Sequence, residues 1–160
     1  MAEARNKITC IVIHCTDSPD NSKYGFDNID RDHKARNFPS YFDRTGKEHW
    51  CGYHYVIGRD GVIIAARPEI YVGAHCRGYN AESLGVCWIG QREMTVLQKR
   101  SLLLLVKELM NEHRVDQSHI FGHTELNPAK TCPNFHFETT FTSMDAFRKA
   151  LQQQTGGNIS

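Results

Sequence analysis

Three side chains that commonly bind zinc stand far apart in this chain, at positions typical of functional residues. His14 ends an apolar run, His123 follows a glycine, and Cys132 precedes a proline. Two imidazoles and one thiolate would leave the fourth corner of a tetrahedral zinc ion open. An open corner is typical of catalytic zinc, since structural zinc usually has four protein ligands. The pattern therefore predicts a catalytic zinc site.

Each of the three residues also has an ordinary structural role open to it. His14 could be a hydrogen-bonded core histidine, His123 a loop histidine, and Cys132 a small buried apolar side chain. Each residue alone is a weak signal. Their shared position, at predicted strand ends and in a turn framed by prolines, favours the zinc site because functional side chains concentrate where buried strands meet the edge of a sheet.

A zinc ion with an open corner indicates hydrolysis. Such an ion can lower the pKa of water from roughly 15.7 to about 7, and the resulting hydroxide can attack a carbonyl carbon. Amide hydrolysis also requires stabilisation of the oxyanion and a proton for the leaving amine. Lys130, two residues before Cys132, could stabilise the oxyanion, and Tyr53 could orient water or pass a proton. The alternatives are an exposed surface lysine and a packed aromatic ring.

Further polar candidates lie in the strand predicted around Tyr53 and in a loop that follows it. Alternation along the strand would place Tyr53 and Tyr55 on one face and His54 on the other. His75 and Asn80 could contact a substrate, or could be a surface histidine and a turn asparagine. The sequence has no glycine-rich phosphate loop, no Gly-x-Ser-x-Gly elbow and no His-Glu-x-x-His motif, which argues against the common zinc protease layout.

Length and composition predict one ordinary globular domain. The 160 residues fit a single domain, 1–160, with loose ends over 1–6 and 155–160. A formal net charge of +1 argues against nonspecific binding of nucleic acid. No apolar run approaches the roughly 18 residues that span a membrane, and the polar start lacks the apolar segment of a secretory signal.

These features predict where the protein is made and how it behaves. We expect synthesis in the cytoplasm, no insertion into a membrane, and access to any target outside the cell by another route. We also expect a monomer. The six cysteines are predicted to be reduced and mostly buried, because several lie inside apolar strand patterns.

Hydrophobic periodicity predicts an α/β fold in which a central mixed β-sheet is flanked by about three helices. The apolar run 8–16 is typical of a central strand buried on both faces. The clearest helix covers 96–112, with a capping box of Thr95 and Gln98 and an apolar stripe at helical spacing. The other predicted elements are a helix over 28–37 capped by Asp27, an irregular loop over 39–50 with a turn at Gly46, a hairpin of 53–57 and 62–66 around Asp60-Gly61, strands over 83–89 and 119–123, and a last helix capped by Ser143.

Several short segments stand in an order and at a spacing that is more specific than any single motif. They are Ile13-His14-Cys15-Thr16, Gly52-Tyr53-His54-Tyr55-Val56-Ile57, Arg59-Asp60-Gly61, Gly73-Ala74-His75, Gly78-Tyr79-Asn80, Ser83-Leu84-Gly85-Val86-Cys87, Gly122-His123 and Pro128-Ala129-Lys130-Thr131-Cys132-Pro133. In these segments, over about residues 8–137, the chain resembles the zinc-dependent N-acetylmuramoyl-L-alanine amidases. That family includes phage lysozyme-type endolysins and the related peptidoglycan recognition proteins.

The resemblance implies a fold, a reaction and a set of site residues. The fold would be a mixed β-sheet flanked by helices, with Zn2+ in a surface groove. The bond cut would be the amide between the lactyl group of N-acetylmuramic acid and L-alanine of the peptidoglycan stem peptide. The implied residues are His14, His123 and Cys132 as zinc ligands, Tyr53 and Lys130 in catalysis, and His75 and Asn80 along the substrate groove.

The resemblance is not complete, and it leaves alternatives open. Residues 38–50 look longer than the matching link in short phage enzymes, and no second domain for holding the cell wall is visible. Animal recognition proteins are typically secreted and disulfide-bonded, and this chain shows neither sign. We therefore expect a phage or prophage endolysin that causes host lysis. The alternatives are a cytoplasmic amidase that recycles muropeptides and a peptidoglycan-binding module without catalysis.

Overall fold

A five-stranded mixed sheet forms the centre of the molecule, in a computed structural model that describes residues 2–5, 7–137 and 141–153. The strands are β1 (Cys10–Cys15), β2 (Tyr41–Phe42), β3 (Glu48–His49), β4 (Tyr55–Ile57), β5 (Ile63–Ala65), β6 (Ser83–Trp88) and β7 (Ile120–Gly122). Their order in the sheet is β5-β4-β6-β1-β7, and β2 and β3 form a separate two-stranded ribbon. Strand β1 runs parallel to β6 and β7, whereas β5 is antiparallel to β4. The predicted mixed sheet is confirmed.

Helices cover both faces of this sheet. They are α1 (Phe26–Ala35), α2 (Val96–His113), α3 (His123–Leu126) and α4 (Met144–Gln152), with short 3-10 turns at Gln117–His119 and Phe135–Phe137. The main apolar core lies on one face, where side chains of β1 and β6 pack against α2 and α4. A smaller cluster on the other face joins Ile29 of α1 to Val56 of β4. The three longer helices, α1, α2 and α4, fit the predicted α/β arrangement, and α3 is a single additional turn.

Helix α2 follows directly from its sequence. The Thr95 hydroxyl accepts a hydrogen bond from the Gln98 backbone N–H at 3.0 Å, and the Gln98 side chain accepts from the Thr95 N–H at 3.0 Å. This reciprocal pair satisfies two backbone donors that a helix start leaves free. The predicted apolar stripe is buried against the sheet: Leu102, Leu105, Val106 and Leu109.

Helix α1 begins earlier than predicted, and Asp27 is not its cap. The helix starts at Phe26 after an extended Gly25, and Asp27 lies in its first turn. The Asn28 side chain accepts the Gly25 N–H at 2.9 Å, so Asn28 satisfies the donor at the helix start. The prediction was wrong because Gly25 occupies the cap position and Asn28, three residues later, accepts its backbone N–H in place of Asp27.

Residues 39–50 are more regular than the predicted loop. Strands β2 and β3 pair antiparallel within this segment, with Tyr41 opposite His49. The Asp43 carboxylate accepts backbone N–H groups of the intervening turn, and Gly46 has a φ of 85°. The turn at Gly46 is confirmed. The ribbon was not predicted because two-residue strands are too short to show alternation.

The start of the chain is docked instead of loose where the structure describes it. The Ala2 N–H donates to the Ser40 carbonyl, and Ala4 forms a bridge with Tyr71. The Arg5 guanidinium donates to backbone carbonyls that include Glu69 and Tyr71. These hydrogen bonds explain the difference from the expected loose end over 1–6. The expected loose end over 155–160 lies outside the described residues.

Other expectations concern cysteines and membranes. All six cysteines are free thiols, five of them buried and Cys132 partly exposed, as expected for a reduced protein. Within 2–5, 7–137 and 141–153, none of the helices combines the length and apolar character needed to cross a membrane. The hairpin of β4 and β5, strand β6, strand β7 and the Ser143 cap of α4 all follow the sequence prediction.

Candidate active site

The ends of two neighbouring parallel strands bring His14 and His123 together. Strands β1 and β7 pair in parallel with Ile13 opposite Gly122, so the next residue on each strand is a histidine at the same edge of the sheet. The Nδ1 atoms of His14 and His123 lie 3.1 Å apart. The carboxyl edge of parallel strands is the usual place for a ligand site in such sheets.

Cys132 completes a triad of possible metal ligands. Its Sγ lies 3.3 Å from Nδ1 of His123, and the ligand atoms of His14, His123 and Cys132 all lie within 4.8 Å of one another. Two nitrogens and one sulfur around a tetrahedral zinc would be separated by about 3.3–3.6 Å, given the usual bond lengths. The donor set and its spacing therefore fit a zinc ion.

The segment that carries Cys132 is fixed by hydrogen bonds from several elements. The Cys132 carbonyl accepts the Thr124 N–H of α3 at 2.9 Å. The Trp88 indole at the end of β6 donates to the Pro133 carbonyl at 3.1 Å. The Asn134 side chain donates to the Gln91 carbonyl at 2.7 Å. Cys132 is thus positioned by the sheet and α3 together, as a preorganised ligand should be.

The local electrostatics favour a thiolate at Cys132. The Cys15 thiol beside it, with the His123 and His14 rings, holds the pKa of the Cys132 thiol well below its usual range despite its burial. Burial alone would lower the pKa of His123, but contacts with the Cys132 and Cys76 sulfurs raise it to about 9. Burial lowers the pKa of His14. A thiolate is the form in which cysteine binds metals.

Two thiols near the triad were not predicted from the sequence. Cys15 contacts Cys132, and that contact, together with burial, raises the pKa of Cys15. Cys76 contacts His123 and is also buried. Cys15 directly follows His14, which is the one signal that could have identified it. Cys76 comes from the loop after β5, and nothing in its local pattern indicated the contact.

Tyr53 lies beside His14, although its predicted orientation relative to Tyr55 was wrong. The two rings of Tyr53 and His14 have centroids 5.1 Å apart. Strand β4 begins only at Tyr55, so strand alternation does not extend to Tyr53. Tyr53 packs against the smaller cluster under α1, whereas Tyr55 packs against the main core on the opposite face. Burial and the neighbouring Cys87 sulfur raise the pKa of the Tyr53 phenol well above its usual range, so it is protonated at neutral pH.

The backbone beside Tyr53 is held by a close approach of two loops. A Cβ atom on Gly52 would lie 1.9 Å from the Ala74 carbonyl oxygen, so a side chain at this position is excluded. The Gly52 N–H donates to Nδ1 of His33 at 2.8 Å. The His33 ring also lies beside that of Tyr53, with centroids 5.3 Å apart.

A groove of about 610 Å³ opens beside the triad, with His123 and Cys132 in its lining. Lys130 is exposed on its wall, two residues from Cys132. Its described lining includes three long cationic side chains and a single acidic one: Arg36, Arg77, Lys130 and Asp17. The wall is therefore positive overall, and such a surface attracts anionic substrates.

His75 and Asn80 also line the groove, but their polar atoms are engaged within the protein. Both ring nitrogens of His75 have partners: Nδ1 lies 2.9 Å from Nε2 of His14, and Nε2 lies 3.1 Å from Oγ of Ser83. The Asn80 side-chain oxygen accepts the backbone N–H groups of His75 and Cys76, each at 2.8 Å. Direct contact of these two residues with a substrate stays a prediction.

Comparison with known proteins finds related sequences over most of the chain. The sequence model described as N-acetylmuramoyl-L-alanine amidase matches residues 4–135. The endolysin of Escherichia phage T7 is 31% identical over 139 residues, which cover 82% of this chain and 83% of that protein. The endolysin of Enterobacteria phage T3 is 32% identical over 133 residues, covering 78% of this chain and 80% of that protein.

Solved structures give the same result for the fold. The endolysin amidase LysCS from Clostridium intestinale superposes with a TM-score of 0.73 at 27% identity, covering 93% of this chain and 88% of that one. Drosophila PGRP-LB has a TM-score of 0.67 at 20% identity, over 86% of this chain and 81% of that one, which supports the fold alone. The chain belongs to the N-acetylmuramoyl-L-alanine amidase family.

Proposed function

We propose that this chain is a zinc-dependent N-acetylmuramoyl-L-alanine amidase that acts as a phage or prophage endolysin. The observation that carries the proposal is the convergence of His14, His123 and Cys132, whose ligand atoms lie within 4.8 Å of one another beside the groove that His123 and Cys132 line. Family membership supports the amidase reaction, and the phage endolysins among the relatives support the role in lysis.

His14, His123 and Cys132 would hold Zn2+ through two nitrogens and one thiolate, a set of three protein ligands that is typical of catalytic zinc. When bound there, zinc supplies a Lewis acid that polarises a carbonyl and lowers the pKa of water. The donor set includes Cys132 in the thiolate form, which its neighbours favour. His14 and His123 come from adjacent strand ends, so the sheet itself fixes the distance between them.

Lys130 and Tyr53 carry the remaining chemistry in this proposal. Lys130 stands on the groove wall two residues from Cys132, where its ammonium stabilises the negative charge that develops on the carbonyl oxygen. The Tyr53 ring lies beside that of His14 and its phenol is protonated at neutral pH, so in this proposal it donates a hydrogen bond to water or substrate. The positive groove wall suits a muramyl peptide, since a peptide stem carries carboxylates.

The products of digestion test this function. Purified protein is incubated with isolated sacculi, with and without a zinc chelator, and the soluble products are identified by mass spectrometry. We expect stem peptides with a free L-alanine amine and glycan strands whose lactyl groups end in a carboxylate, in the untreated sample only. Cleavage of glycan or of peptide cross-links instead would refute the amidase assignment.

The same assay separates the alternatives. A recycling amidase would release peptide from soluble anhydro-muropeptides but leave sacculi intact, whereas an endolysin cleaves sacculi and clears chloroform-treated cells. A binding module would sediment with sacculi and release nothing. The presence of Cys132 beside the two histidines favours catalysis over binding alone, because three protein ligands are typical of catalytic zinc and four of structural zinc.

A further inference from the structure

A chain of hydrogen bonds leads from the back of His14 to a backbone carbonyl. Nε2 of His14 lies 2.9 Å from Nδ1 of His75. Nε2 of His75 lies 3.1 Å from Oγ of Ser83. The Ser83 hydroxyl donates to the Tyr79 carbonyl at 2.7 Å. These contacts lie on the side of His14 opposite its Nδ1, the atom that faces His123.

The Tyr79 carbonyl, the last acceptor in this series of hydrogen bonds, fixes the direction of each of the others. A carbonyl oxygen only accepts, so the Ser83 proton is directed to Tyr79. The Ser83 oxygen must then accept from His75, which places the His75 proton on Nε2. Nδ1 of His75 is left as an acceptor, and His14 must donate to it from Nε2. A neutral imidazole has one proton, so Nδ1 of His14 carries a lone pair.

We infer that His75 is a positioning residue, which with Ser83 holds His14 in the one tautomer that can bind a metal through Nδ1. The direction of the chain follows from the Tyr79 carbonyl and does not depend on a bound ion. The free lone pair of His14 faces His123 and Cys132, where the triad converges. This inference rests on the proposed zinc site, and it gives His75 a role in the protein where the sequence predicted a contact with substrate.

Packing keeps the His75 ring in the orientation that the chain needs. A Cβ atom on Gly85 of β6 would lie 2.6 Å from Cγ of His75, and one on Gly73 would lie 2.6 Å from its Cδ2. The His75 ring therefore fills the space that side chains at Gly73 and Gly85 would occupy, and the two backbones hold it in place. Asn80 holds the backbone of the same loop by accepting the His75 N–H at 2.8 Å. Partners of this kind commonly orient metal-binding histidines.

The tautomer can be measured in the metal-free protein. Long-range 1H–15N correlation spectra of 15N-histidine-labelled protein distinguish protonated from unprotonated ring nitrogens. We expect His14 and His75 both to carry the proton on Nε2, with their signals assigned by loss in His14→Ala and His75→Leu variants. A proton on Nδ1 of His14 would overturn the inference, whatever the protein's affinity for zinc.

Zinc affinity provides the second readout. Ser83→Ala removes the acceptor for His75, and we expect zinc affinity to fall about 10- to 100-fold, the range typical for loss of a partner behind a ligand. Affinity is measured by competition with a chromophoric chelator. Ser83→Thr keeps the hydroxyl and should restore most of the affinity. A fall of the same size in both variants would indicate disturbed packing and would contradict the inference.

A control variant separates this effect from the loss of a hydrogen bond between a serine hydroxyl and a carbonyl elsewhere in the fold. The Ser101 hydroxyl of α2 also donates to a carbonyl, that of Gly61, at 2.5 Å and away from the triad. Ser101→Ala should bind zinc as tightly as wild type. If Ser83→Ala also binds zinc like wild type, the inference fails while the proposed amidase stands. If wild type binds no zinc, the proposed function fails and the tautomer measurement still tests the inference.

Discussion

At the scale of single residues, the site depends on the chemistry of neighbouring atoms more than on any one side chain. Cys132 is favoured as a thiolate because Cys15, His123 and His14 surround its sulfur. His123 carries a raised pKa for the same reason, since it contacts two sulfurs. The thiolate is the form of Cys132 that binds a metal, whereas the raised pKa of His123 means that its ring must release a proton when a metal binds there.

Lys130→Met tests the proposed role of the ammonium. Zinc content should stay at the wild-type level, because Lys130 is not among the three ligands. The kcat for peptide release should fall about 100- to 1,000-fold, the range for loss of one oxyanion donor. Lys149→Met, an exposed lysine of α4, is the control and should keep full activity. A Lys130→Met enzyme with normal kcat would remove Lys130 from catalysis.

At the scale of elements, a buried arginine joins the loops around the groove. Arg67 is 1% exposed, and its guanidinium donates to the carbonyls of Cys51, Val72 and Pro39 at 3.0, 3.1 and 2.6 Å. Its hydrogen bonds connect the segment before Tyr53 to the loop that carries His75. Because the Arg67 guanidinium and the Cys51 carbonyl are buried together, that carbonyl has no easy substitute for the arginine.

Arg67→Met should therefore destabilise the fold and slow the enzyme. The buried Cys51 carbonyl and the partly buried carbonyls of Val72 and Pro39 lose their donor, so we expect the free energy of unfolding to fall by about 3 kcal/mol. Urea denaturation followed by circular dichroism measures this change. Arg31→Met, an exposed arginine on α1, should be nearly neutral. Equal stability of the two variants would show that Arg67 does not hold these loops together.

The elements also show which parts of the fold can be read from sequence. Helix α2 is predictable because its 18 residues repeat one apolar stripe and open on a capping box. The ribbon of β2 and β3 is not, since its strands have two residues each. The convergence of His14, His123 and Cys132 was predicted from strand ends and motif spacing. Cys76 and Ser83 were not, because their contacts with the site arise only when distant segments fold together.

At the scale of the whole molecule, acid should weaken the fold through buried neutral histidines. Burial lowers the pKa of His33 to about 4, and its Nδ1 accepts the Gly52 N–H. In the unfolded chain the pKa returns to about 6.5. Between about pH 6.5 and pH 4 the unfolded state therefore binds a proton that the folded state does not, and stability falls as the pH falls through this window. The full contribution is about 3 kcal/mol at most.

His33→Asn isolates this contribution. The asparagine carbonyl can accept the Gly52 N–H but does not titrate, so the variant should lose less stability between pH 7 and pH 4 than wild type. Urea denaturation at a series of pH values gives the free energy of unfolding of each protein as a function of pH. His54, whose pKa burial lowers to about 3, contributes to both proteins and cancels in the comparison. If the free energy of unfolding depends on pH in the same way in both proteins, His33 takes up its proton at the same pH in the folded and the unfolded state, and the prediction fails.

Zinc stoichiometry coupled to activity tests the central claim most directly. Wild type and Cys132→Ser are stripped of metal, reloaded with zinc, and assayed for bound zinc and for peptide release from sacculi. We predict one zinc per wild-type chain, activity that returns in proportion to zinc, and loss of both tight zinc binding and activity in Cys132→Ser. Full activity in the stripped wild type, or a Cys132→Ser variant with normal zinc content and activity, would contradict the account.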